Sequence, residues 1–169
     1  DHTVLTKGHW DIYNNITGWT GGTNGIEVRY DVAGQAPDGH NFVELDTRYN
    51  SAMQQTITTS ANQHYTLSFM VQNRPGVNVN SQGIEVYWNG ALQNVDTRVG
   101  PWTEFKLDVV GAANQSTLQF KAFGTSDSYG SSLDKVSVMA AVPEPETYGM
   151  LLAGLALVGA VARRKARQA

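Results

Sequence analysis

Short runs in which every second residue is apolar constrain this chain more than any other feature. In 64–71, Tyr65, Leu67, Phe69 and Val71 share one phase, and Thr66, Ser68 and Met70 share the other. Ile84, Val86 and Trp88 alternate with Glu85 and Tyr87, and Asn89-Gly90 follows as a hairpin turn. Val43 and Leu45 oppose Phe42, Glu44 and Asp46. Phe105, Leu107 and Val109 oppose Lys106 and Asp108. Leu118, Phe120 and Ala122 oppose Gln119, Lys121 and Phe123, and a last run covers 132–138. A period of two is that of a strand with one face buried. Glycine, asparagine and serine clusters such as 21–25 and Arg74-Pro75-Gly76 separate the runs. No window before Thr147 combines a 3.6-residue period with helix caps. About eight strands with no helices to cover a parallel sheet predict an all-β, antiparallel β-sandwich over residues 1–140, with spacing that suits a jelly roll.

The remainder, 141–169, has a different physics. Residues 147–162 carry no charge, and Arg163, Arg164 and Lys165 follow at once. As a helix that run spans roughly 24 Å, which predicts a short transmembrane helix. The basic end stays cytoplasmic and leaves the body outside. Pro143 and Pro145 keep 142–146 extended and open to a processing enzyme. Pro143-Glu144-Pro145, the apolar run and the Arg163-Arg164 end together resemble the PEP-CTERM sorting signal. The resemblance implies recognition by a membrane-embedded exosortase in biofilm-forming Gram-negative bacteria. An inner-membrane precursor held by the tail would then yield a cell-surface or extracellular protein. The first residue is Asp1, not Met, which predicts a secretory signal peptide removed upstream.

The body also carries a resemblance. Segments 25–47, 65–76, 83–90 and 124–138 resemble the galactose-binding-like jelly-roll domains, nearest the DUF642-like group, and so imply a carbohydrate-binding module. They further imply a structural Ca²⁺ where the first and last strands meet, held by carboxylates and carbonyls. Asp134 matches the aspartate placed there, and Asp11 stands where relatives use Glu.

Composition removes most enzymes. Zero cysteine excludes disulfides, thiolate zinc and a cysteine nucleophile. The histidines lack metal spacing, the serines lack the nucleophile elbow, and no glycine loop opens a helix. Glu44 and Asp46, with Cα atoms about 6.6 Å apart, have no local pocket to raise a pKa and read as a solvated or metal-facing strand edge. Residues 1–146 carry 8 basic and 15 acidic groups, a net of −7, which argues against nucleic acid as partner.

Sugar faces stack on aromatic rings while polar neighbours hydrogen-bond the hydroxyls. Tyr87, Phe42, Phe123 and Tyr129 fall off the core phase or in loops, and Trp10, Trp19 and Trp102 lie near loops. Trp88 shares the core phase. These placements predict a ligand set of Tyr87, Glu85, Asn89, Arg74 and Tyr129 that binds a neutral or cationic polysaccharide weakly, with no catalysis. The alternative is a structural or adhesive biofilm matrix protein that meets other proteins and has no sugar site.

Overall fold

The computed structural model describes residues 5–141, so the sorting residues Pro143, Glu144, Pro145, Arg163 and Arg164 and the expected transmembrane helix lie outside the described residues. Among the described residues no helix is long and apolar enough to cross a membrane. Twelve strands run in chain order: β1 Trp10–Tyr13, β2 Asn15–Ile16, β3 Trp19–Gly21, β4 Ile26–Tyr30, β5 Asn41–Glu44, β6 Ala52–Thr59, β7 His64–Gln72, β8 Ile84–Trp88, β9 Ala91–Gln93, β10 Thr103–Val110, β11 Asn114–Ala122 and β12 Ser132–Ala140. They form two six-stranded sheets, ordered β1-β4-β5-β12-β7-β10 and β2-β3-β6-β11-β8-β9, with every pairing antiparallel. The sandwich expectation holds.

The alternation sets which residues fill the space between the sheets. Leu67, Phe69 and Val71 of β7 face Val86, Leu118 and Phe120, all fully buried. Phe69 stacks on Phe105 at 5.4 Å and meets Phe120 edge-on at 5.2 Å, and Phe120 lies 5.9 Å from Trp19. That aromatic chain ties the two sheets together. Asn89-Gly90 makes the β8–β9 turn, with φ of 51° and 79°. The Asn89 side chain accepts from Thr117 N–H and donates to Ser116, so it is a structural residue of the turn.

Two features depart from the sequence reading. Phe42, Glu44 and Asp46 do sit off the core phase, yet all three are buried. The 31–40 connection crosses the outer face of the first sheet as a strap. Trp102 Nε1 donates to Gln35 O at 2.8 Å, and Trp102 meets Phe42 edge-on at 5.6 Å. Loop 123–131 covers the carboxylates. The second departure is β12, where a bulge between Asp134 and Ser137, with Lys135 at φ 52°, resets the alternation.

Candidate functional site

Cross-strand register builds the site on the outer face of the first sheet. Trp10 lies opposite Arg29, and Glu27 opposite both Ile12 and Glu44. Outward phase therefore gathers Trp10, Ile12, Glu27, Arg29 and Glu44 on one surface. Arg29 Nε donates to Glu27 Oε1 at 2.6 Å, and Arg29 Nη2 pairs with Glu44 Oε2. Arg74 Nη1 reaches the same Glu44 oxygen at 3.4 Å. Burial pulls the Arg29 guanidinium below its ordinary pKa, and the charge and hydrogen bond of Glu27 hold it up. Arg29 is only 2% exposed, and its Nη1 has no hydrogen-bond partner among the described residues.

Two carboxylates hold the loop above this floor. Asp46 accepts the backbone N–H groups of Asp127 and Ser128, both at 2.9 Å, and of Tyr129 at 3.3 Å. Glu44 accepts the N–H of Gly130. Four successive amides are thus fixed by two buried anions, which stiffens the segment that presents Tyr129. Arg74 packs over the Tyr129 ring at 4.6 Å. Gly130 is needed there, because a Cβ would stand 2.9 Å from the Asp46 Cβ.

The result is a cavity of about 270 Å³ between Trp10 and Tyr129, floored by Glu27 and Arg29 and rimmed by Arg48 and Arg74. Trp10 is 53% exposed and Tyr129 48%, high values for rings of that size. Among the described residues Arg48 has no carboxylate partner. Arg29 and Arg74 are paired with Glu27 and Glu44, which leaves Arg48 as the cation at the rim free to meet an anion. A second cavity of about 260 Å³, lined by Trp19, Asn41, Asp134 and Lys135, has one cation, and its Trp19 ring packs against Phe120. It offers less to a sugar.

Of the expected ligand residues, the structure brings Arg74 and Tyr129 together. Glu85 and Tyr87 lie on the outer face of the other sheet, where the Tyr87 hydroxyl donates to Glu85 at 2.8 Å. That hydrogen bond pushes the Tyr87 phenol pKa up. The two aspartates expected to share calcium do not converge. Asp11 pairs with Val28, Val28 with Val43, and Val43 with Leu133, so β4 and β5 intervene between them. Three strand spacings amount to roughly 14 Å, and the pleat turns Asp11 and Asp134 to opposite faces. Asp134 accepts from the N–H of Lys135 at 2.7 Å and of Asp38 at 3.2 Å. Burial pushes its pKa up, and those hydrogen bonds oppose the shift. Three strands apart and on opposite faces, Asp11 and Asp134 do not fit a shared ion.

Trp10, Arg29 and Arg48 were not in the expected ligand set. One signal was present in the sequence: Glu27, Arg29 and Glu44 put both charges on the outer phase of strands whose other phase is apolar.

Comparison with known proteins agrees with this architecture. The fold is the jelly-roll β-sandwich that solved carbohydrate-binding modules also have. A family 35 carbohydrate-binding module from Clostridium thermocellum superposes with a TM-score of 0.53 at 16% identity, covering 79% of this chain and 99% of that one. The module from Paenibacillus barcinonensis gives 0.50 at 19% identity, covering 79% of this chain and all of that one. Residues 141–165 match the PEP-CTERM protein-sorting motif, which marks an exported protein sorted to the cell surface. The chain is also similar to a multifunctional-autoprocessing repeats-in-toxin protein of Vibrio vulnificus, at 32% identity over 132 residues. That match covers 75% of this chain and 2% of the toxin's length.

Proposed function

We propose that this protein is an exported, non-catalytic carbohydrate-binding module whose groove takes a carboxylate-bearing sugar of a surface polysaccharide. One observation carries the reading. Arg48, exposed and without a carboxylate partner among the described residues, stands at the rim of a cavity flanked by exposed Trp10 and Tyr129 and floored by Glu27 and Arg29. Rings stack on the sugar face, and guanidinium groups hold a carboxylate as paired hydrogen bonds. The net charge of the body argues for neutral or cationic polymers, but the groove decides at contact. Charges beyond about 10 Å are largely screened at 0.1 M salt, so Arg48, which has no carboxylate partner among the described residues, outweighs the distant acids. The fold of the similar binding modules supports the carbohydrate class, and the tail supports the address.

Affinity electrophoresis tests the ligand. The protein should be retarded in gels containing polygalacturonate and run freely in gels containing dextran. Trp10→Ala or Arg48→Ala should weaken retention about tenfold, the effect of one stacked ring or one charged hydrogen bond. Tyr87→Ala should leave retention unchanged, because Tyr87 lies on the other sheet. Equal retardation in dextran would remove the acidic-sugar reading.

In this reading the tail holds the precursor in the inner membrane, arginines inside, until an exosortase-type enzyme removes it. Mass spectrometry of surface-released protein should find chains ending near Glu144 to Thr147. Arg163 and Arg164 recovered in that material would count against processing.

A further inference from the structure

A third cavity continues the groove beyond Arg48. It measures about 350 Å³ and is lined by Ile12, Asn14, Thr23, Asn24, Arg48 and Tyr49. Ile12 and Arg48 also line the cavity between Trp10 and Tyr129, so the two spaces share a wall. Tyr49 is 65% exposed at the outer end. Each space sits near the small end of ligand sites, roughly 300 Å³, and is sized for a short piece of ligand.

The shared wall is built to stay in place. Arg48 and Tyr49 form the tip of a tight loop closed by the Asp46–Asn50 bridge. Thr47 Oγ1 donates to Asn24 O at 2.8 Å, and Asn24 Nδ2 donates to Asn50 O at 2.9 Å. Asn50 donates its N–H to Ser126 Oγ at 2.9 Å and its Nδ2 to Gly124 O at 3.0 Å. The loop is therefore tied both to the 22–25 turn and to the loop that carries Tyr129. Exposed Arg48 stands between two cavities on a rigid base.

Resting on the proposed sugar reading, we propose that the groove binds an internal stretch of a linear acidic polysaccharide across two subsites. One sugar stacks between Trp10 and Tyr129. A following sugar stacks on Tyr49, with Asn14 and Asn24 facing its hydroxyls. Arg48 pairs with a carboxylate at the junction. The ligand is a polymer chain, not a free terminal residue.

Titration calorimetry with galacturonate and its linear hexamer tests this on the full chain. The hexamer should bind at least about tenfold more tightly than the monomer, the gain from a second stacked ring. Tyr49→Ala should abolish that gain and leave monomer affinity unchanged, and Tyr49→Phe should restore it. The exposed Tyr49 ring lies outside the core, so the variant should fold. Monomer and hexamer of equal affinity would confine binding to the first cavity and overturn the two-subsite groove alone. Undiminished hexamer binding in Tyr49→Ala would do the same. Failure of both sugars to bind would overturn the acidic-sugar function and this inference with it.

Discussion

Glu44→Gln should lower the free energy of unfolding by about 3–5 kcal/mol, the cost of removing one partner from a buried ion pair. Glu44 is fully buried and serves three donors: Arg29, Arg74 and the N–H of Gly130. Glutamine keeps the volume but supplies one acceptor oxygen and no charge, and its amide N–H₂ meets the Arg29 guanidinium. Arg29 then retains Glu27 as its only anion, in a place where water does not reach it. Domains of this kind have about 5–15 kcal/mol in all, so about a fifth or more of the stability is at stake. Urea denaturation should show a lower midpoint at an unchanged slope, because the exposed surface on unfolding is the same. A loss below about 1 kcal/mol would mean that the guanidinium is solvated after all.

Phe69→Ala should cost about as much by another route. Truncating a buried phenylalanine typically removes about 3–5 kcal/mol, part transfer free energy and part residual cavity. Phe69 is positioned for the high end of that range. It stacks on Phe105 on its own sheet and meets Phe120 on the other, and both contacts are lost together. Phe69→Leu keeps most of the volume and should lose less than half as much. Equal losses for the two variants would show that aromatic geometry, not filled volume, dominates this core.

These two residues also show what could be read before the fold was known. The period of two that Phe69 shares with Leu67 and Val71 puts it in the core, and the structure agrees. Trp88 and the Asn89-Gly90 turn were legible in the same local way. β6, in contrast, was missed. Its inward phase includes Gln55 beside Met53 and Ile57, so the apolar alternation is diluted. Glu44 was placed on the correct phase and given the wrong surroundings. Periodicity states which side of a sheet a residue faces; it is silent on what a distant loop lays over that side.

Charge patterning, alternation, turn residues and the composition of the tail are properties of neighbours along the chain. They determined the antiparallel sandwich, its core phase and the sorting motif at 141–165. The groove is made by segments far apart in sequence: Trp10 from β1, Arg29 from β4, Arg48 after β5, Arg74 after β7 and Tyr129 before β12. Their meeting depends on the order β1-β4-β5-β12-β7, which no local pattern encodes. It depends equally on the buried carboxylates of Glu44 and Asp46, which draw the Tyr129 loop down over the sheet: Asp46 takes its amides in place of a cation, and Glu44 takes the Gly130 N–H beside its two arginines. The same topology set Asp11 and Asp134 apart, since strand order alone decides which aspartates are neighbours.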